Sequence, residues 1–158
     1  MLLNTIAACI RISCLLIVPA CAAWATGRPF IFPSLGPSAF SLVLGEDVPS
    51  ARRIIGGHAV GIASGFFAYH LCAAGLTFHT FPVTWSIADL RIAASGILSL
   101  LLTTAGMLAT HTQHSSACAT TLIISLGLMP TWTDCIVIFL SVLSLYGTHL
   151  LLPTTNDS

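Results

Sequence analysis

No lysine occurs in this 158-residue chain, and charged residues of all kinds make up only 6% of it. A soluble domain carries about 25% charged residues. Five arginines and five acids sum to a net charge of zero, far too little polar surface to clothe a water-soluble globule of this size. The scarcity excludes an ordinary soluble enzyme and a disordered chain. The missing lysines and the zero net charge also exclude a nucleic-acid binder. No Cys-x-x-Cys pair occurs. The six cysteines (Cys9, Cys14, Cys21, Cys72, Cys118 and Cys135) fall inside apolar stretches, where cysteine usually acts as a small buried hydrophobe. Neither a disulfide framework nor a zinc site is expected. There is no Gly-x-Ser-x-Gly elbow and no acidic residue placed as the third member of a Ser–His set. His111 and His114 are three apart without a further ligand nearby. Thus no enzyme, no metal and no cofactor is expected.

What the chain has instead is apolar length. Hydrophobic residues make up 56% of it, and the mean hydropathy is +0.96. One span needs about 20 apolar residues, so 1–158 reads as a single membrane domain of at most six crossings. Segments are expected at Thr5 to Thr26, Pro29 to Gly45, Ile54 to Phe78, Trp85 to Thr110, Ala117 to Met129 and Trp132 to Leu152, before a polar tail at 153–158. His79 falls in the loop after the third segment. The first segment carries Arg11 and a Val18-Pro19-Ala20-Cys21 stretch that could pass for a signal sequence. Since everything after it is also membranous, a retained helix is the simpler reading, with Arg11 snorkelling to the headgroups. Trp24, Trp85 and Trp132 each mark a segment boundary, as an interfacial aromatic belt does. If all six segments cross, the three fall on one side. Arg52 and Arg53 then face Arg28 and Arg91 across the membrane. With Arg11 counted beside Arg52, the N-terminus is expected on the cytoplasmic side.

The second and fifth segments are short. The second is interrupted by Pro33, Gly36 and Pro37, and the fifth has a polar opening from Thr110 to Ser116. A shift of 82 residues lays Ser34 over Ser116, Ser38 over Thr120 and Gly45 over Gly127. Each short segment has a long one before and after it, a three-plus-three plan. The halves are inverted if the short segments cross and parallel if they re-enter; chance similarity of small-residue helices is the plainer alternative. Paired interrupted segments in two halves point to a transporter's binding site. Helix starts are expected near Gly36 and Ser115, with Gly36 as cap and Pro37 as first helical residue, and Ser115 or Ser116 as the second cap. Exposed amides at both starts would suit a small anion. Ser34, Gly36, Ser38, Ser115, Ser116 and Thr120 are therefore the candidate anion-binding residues. His58 and His114, which titrate near neutral pH when unperturbed, complete the set. If their pKa values are ordinary, anion uptake is expected to fall through about pH 6–7. Gly57, Gly61 and Gly65 repeat every four residues along the third segment, a stripe on which another helix can approach closely.

These residues resemble the HPP family of small integral membrane proteins. Its first signature, Pro-x-x-Gly-x-Ser-Ala followed by a loop with Pro and Arg and an Ile-Gly-Gly-His helix opening, is matched by Pro33, Gly36, Ser38, Ala39, Pro49, Arg52, Arg53, Ile55, Gly56, Gly57 and His58. The second, His-Pro-Pro followed by small residues and Ala-Thr, stands here as His114-Ser115-Ser116-Ala117-Cys118-Ala119-Thr120, with serine for both prolines. The HPP-like core spans about 29–130. The resemblance implies an all-α polytopic bundle with four or more spans, and it suggests nitrite, since some members are assigned to nitrite transport. The expected partners are the lipid bilayer and a small inorganic anion, with a homo-oligomer open. The expected location is a multi-pass position in the cell membrane. Two further readings stay open: a non-transporting membrane protein that associates through its glycine stripe, and a membrane enzyme.

Overall fold

The computed structural model describes residues 2–78 and 85–152, with side chains from Thr5 onward. His79 and the tail 153–158 lie outside the described residues. Six helices follow one another: α1 (Leu2–Thr26), α2 (Ile31–Leu44), α3 (Ala51–Ala68, prolonged by a π-helical turn Tyr69–Ala73), α4 (Ile87–Thr110), α5 (Ala117–Ser125) and α6 (Trp132–Leu151). Among the described residues there is no strand. Four stretches are long and apolar enough to cross a membrane: Thr5–Thr26, Ala51–Ala73, Ile87–Thr110 and Trp132–Leu151. The chain is an all-α, multi-pass membrane bundle. Side chains such as Ile10, Phe40, Leu101 and Leu140 are more than half exposed on its outside, where hydrocarbon takes the place of water.

Local chemistry explains the starts. Ser86 and Asp89 form a reciprocal capping box on α4, and Thr131 and Asp134 form one on α6. Each leaves an acid in the first turn, where the helix dipole favours it. Ser50 caps α3 by accepting from the Arg53 amide. The start of α2 differs from expectation. Helix begins at Ile31 and runs through Gly36 and Pro37 without a break. Pro33 sits in the first turn, where its missing amide costs nothing, so only Pro37 removes a helical bond. Gly36, with no Cβ, relieves the usual clash between a proline ring and the residue before it. The cysteines also depart from the expected burial: Cys135 alone is buried, Cys9 and Cys21 face outward on α1, and all six are free thiols.

The ends of the helices sort into two faces. At one, Arg28 pairs with Asp134, Arg91 donates to the Cys72 carbonyl, the Phe78 amide donates to Leu126, and Trp132 stacks on Phe66. Trp24, Trp85 and Trp132, each at least 70% exposed, border this face. At the other face Arg52 donates to the Thr110 carbonyl, and Arg53 donates to the Gln113 carbonyl and pairs with Asp47. Successive helices, the short ones included, therefore run in alternating directions. In the interior α1 packs on α2 and α6; α2 on α5 and α6; α3 on α4, α5 and α6; and α4 on α5. Leu15, Leu35, Leu42, Ile124, Ile138 and Val142 form the apolar core on the α1–α2–α6 side.

The glycine stripe decides where α5 lies. A Cβ at Gly57 would stand 2.9 Å from His114 Cβ, one at Gly61 2.8 Å from the Ala117 carbonyl oxygen, and one at Gly65 2.7 Å from the Thr121 carbonyl oxygen. All three glycines are buried. Thus the stripe holds the short helix of the same chain against α3 and is not open to a second copy.

Candidate functional site

Helices α2 and α5 cross inside the bundle, and their small polar residues meet there. Ser34 and Ser38 are one turn apart on the inner face of α2; Ser116 and Thr120 are one turn apart on α5. Ser34 Oγ lies 2.6 Å from Thr120 Oγ1, and Ser38 Oγ lies 2.7 Å from Ser116 Oγ. Beside the crossing, α3 supplies His58, whose Nε2 is 2.9 Å from Ser38 Oγ and whose Nδ1 is 2.7 Å from Thr120 Oγ1. The α4–α5 connection supplies His114, whose Nε2 is 3.0 Å from the same Ser38 oxygen. The two imidazole centroids are 5.4 Å apart, edge to face. Ser34, Ser38, His58 and Thr120 have no exposed surface, and His114 and Ser116 are each 5% exposed.

Counting protons orients this network. A hydroxyl has one proton to donate and two lone pairs, and histidine tautomers are assigned from such counts. Ser116 donates to the Ser34 carbonyl, so the short contact between Ser116 and Ser38 must take its proton from Ser38. Ser38 then has none left for either histidine, and both rings donate to it from Nε2. A neutral His58 protonated at Nε2 must accept at Nδ1, so Thr120 donates to it, and Ser34 donates to Thr120. Two imidazole N–H groups thus converge on one buried oxygen.

Of the residues expected at the site, Ser34, Ser38, His58, His114, Ser116 and Thr120 come together. Gly36 and Ser115 do not. The space around Gly36 is open, and Ser115 is exposed. The expected amide cradles are not formed either. The first amides of α5 turn back onto the chain: Ala117 to the His114 carbonyl, Cys118 to Ser115 and Ala119 to Ser116. At α2, the amides of Ile31, Phe32 and Ser34 bond Arg28, Pro29 and Phe30. Side-chain donors, not free helix ends, fill the centre. His111 does not join His114 as a metal pair; it is an exposed left-handed residue ending α4, at φ 55°. Among the described residues no group of three or more potential metal ligands gathers.

Two features escaped the sequence reading. Thr121, next to Thr120 but on another face of α5, bridges Thr103 of α4 at 2.7 Å and donates to the Gly61 carbonyl at 2.8 Å. Arg53, through its bond to the Gln113 carbonyl at 3.0 Å, holds the connection that carries His114. A Ser/Thr-rich helix start signals the first, but nothing in the sequence pairs Arg53 with residue 113. The His114 ring is pushed down from 6.5 to about 4, chiefly by burial and then by the Arg53 charge. It is therefore neutral across pH 6–7, and the loss of uptake expected there from ordinary values does not follow for this residue.

A family model described as HPP, transmembrane region, matches residues 1–156. The chain belongs to the HPP transmembrane family. No curated protein and no solved structure matches it. Within this HPP protein the signature residues Ser38, His58 and His114 share one hydrogen-bonded knot, although serines stand where the second signature has its two prolines.

Proposed function

We propose that this HPP protein moves a small monovalent inorganic anion through the membrane, with nitrite as the first substrate to test and the cell membrane as its location. The observation that carries the reading is the convergence of the His58 and His114 Nε2 atoms on a single oxygen at the α2–α5 crossing, which the proton count makes two donors. Ser38 Oγ occupies the place that an anion's oxygen would take. Rotation of that one side chain leaves two N–H donors turned to the same point. Charge-assisted bonds of this kind are worth about 1.5–3 kcal/mol each. The hydrogen bonds of the knot link imidazoles and hydroxyls without a carboxylate, which suits a carrier and not a hydrolase. The alternative of association through the glycine stripe loses its surface, because α5 covers that stripe.

Purified protein in liposomes, assayed for flux of nitrite, nitrate and chloride against protein-free vesicles, tests the proposal. Protein-dependent flux of at least one anion is expected, and His114→Ala is expected to reduce it while the protein stays folded. Ser38→Ala, which frees both N–H groups, is expected to tighten anion binding. No protein-dependent flux of any of the three anions overturns the reading.

A further inference from the structure

We propose that the anion crosses together with one proton, held on the His58–His114 pair, so that transport is electroneutral. This rests on the anion reading above and adds the coupling ion to it. The argument starts from charge. The six residues of the knot are hydroxyls and imidazoles, and none carries a fixed charge. The nearby cation, Arg53, lies at the membrane face and is engaged by Asp47 and the Gln113 carbonyl. An anion brought into the knot without a counter-charge meets the large penalty of burying an isolated ion. A proton on one imidazole removes it. The converse holds as well: burial and Arg53 keep His114 neutral when it stands alone, so the empty site refuses the proton that the anion would bring. The groups presented to the pair are Ser34 and Ser38 from α2, Ser116 and Thr120 from α5, and Arg53 from α3, so no acid in the hydrogen-bonded knot competes with the anion for this role.

The network also supplies a route. Ser34, Thr120 and His58 Nδ1 form a string at 2.6 Å and 2.7 Å, with each hydroxyl donating toward the ring. A proton arriving on Ser34 Oγ displaces the Ser34 proton to Thr120 and the Thr120 proton to His58 Nδ1. His58 becomes an imidazolium, and each hydroxyl again holds one proton. Onward movement releases the Nε2 proton of His58 to Ser38, and the proton of Ser38 passes to His114 Nε2 once that nitrogen is the bare one. The His114 imidazolium so formed returns to neutral by passing its Nδ1 proton to water at the arginine face. Ser34 stands in the first turn of α2, toward the tryptophan face, and His114 follows α4 at the arginine face. The two ends of the string thus look toward opposite sides of the membrane.

The test uses wild-type protein in liposomes with a pH dye inside and the membrane potential clamped at zero. An inside-alkaline gradient of one pH unit is expected to drive nitrite to an inside-to-outside ratio of about ten, the value that one-to-one coupling sets at equilibrium, and to do so faster than in protein-free vesicles. His58→Gln keeps an amide for Ser38 and Thr120 but has no proton to pass, and it is expected to abolish that accumulation. Should this variant not fold, the wild type still decides: nitrogen NMR of labelled histidines is expected to show neutral rings at pH 7 that become protonated on nitrite saturation. Nitrite flux that follows voltage and ignores the pH gradient overturns the coupling and leaves the anion reading intact. Rings that stay neutral with nitrite bound do the same. No protein-dependent flux of nitrite, nitrate or chloride overturns both.

Discussion

Gly61 offers the sharpest perturbation of the fold, because a single methyl group has nowhere to go. An added Cβ would sit 2.8 Å from the Ala117 carbonyl oxygen and 2.9 Å from Thr121 Oγ1. The first is backbone and cannot step aside unless α5 moves as a unit. Inserting a methyl into a well-packed contact costs about 1–3 kcal/mol. Pushing Thr121 away weakens its bond to the Gly61 carbonyl, about 0.6 kcal/mol for an interhelical hydrogen bond in a membrane. Against these, alanine favours a helix over glycine by about 1 kcal/mol. Gly61→Ala is therefore expected to destabilise the protein by about 0.6–2.6 kcal/mol. Gly147→Ala on α6 isolates the propensity effect, since nothing lies within 4 Å of a Cβ there, and should stabilise by about 0.5–1 kcal/mol. Both are read by unfolding purified protein in mixed micelles, following tryptophan fluorescence and helical circular dichroism. A Gly61→Ala protein as stable as wild type, beside a stabilised Gly147→Ala protein, would refute the close approach of α3 and α5.

Thr120→Val removes the hydroxyl shared by His58 and Ser34 and is expected to cost about 1–3 kcal/mol and to lower anion flux; a fully stable variant with normal flux argues against the proton assignment. His111→Gly relieves a left-handed residue at φ 55° and should raise stability by about 1 kcal/mol, seen as a higher midpoint in the same assay. Asp134→Ala loses a capping box and the Arg28 pair and should cost about 1–2 kcal/mol, a loss that Asp134→Asn only partly restores. His114 is pushed down to about 4 in the folded protein, so the unfolded chain takes up its proton first as acid is added. Stability is expected to be full above about pH 6.5, to fall toward pH 4 and to level off below it; His114→Gln should flatten that slope.

The bundle was legible because hydropathy and length act one segment at a time. Four long helices can be read from apolar runs alone, and their starts follow from Ser86, Asp89, Thr131 and Asp134, all local signals. The path of α2 was not legible. Gly36-Pro37 reads as a helix start when each residue is weighed by itself, yet glycine before proline is also the pair that lets helix continue. Site residues that lie one helical turn apart, such as Ser34 with Ser38 and Ser116 with Thr120, could be picked out together. Which face each would present depended on how α5 docks, and that is settled by steric room at Gly57, Gly61 and Gly65. The shift of 82 residues pairs Ser34 with Ser116 and Ser38 with Thr120, whereas the contacts formed join Ser34 to Thr120 and Ser38 to Ser116. Both histidines flank this crossing from the α3–α5 side.

A helix of nine residues is about 14 Å long, under half the thickness of the hydrocarbon layer. Left to itself in lipid, α5 would expose polar backbone at both ends. During synthesis it therefore cannot enter as an independent unit; it needs the groove on α3, already in place with α4, to receive it. Insertion then has an order, with the four long spans as the frame and the two short ones as late arrivals that close the polar centre. A bulky residue in the glycine groove would act on biogenesis before it acted on the finished protein. The segment from Ala117 would be stranded at one face, and the polar centre would stay open.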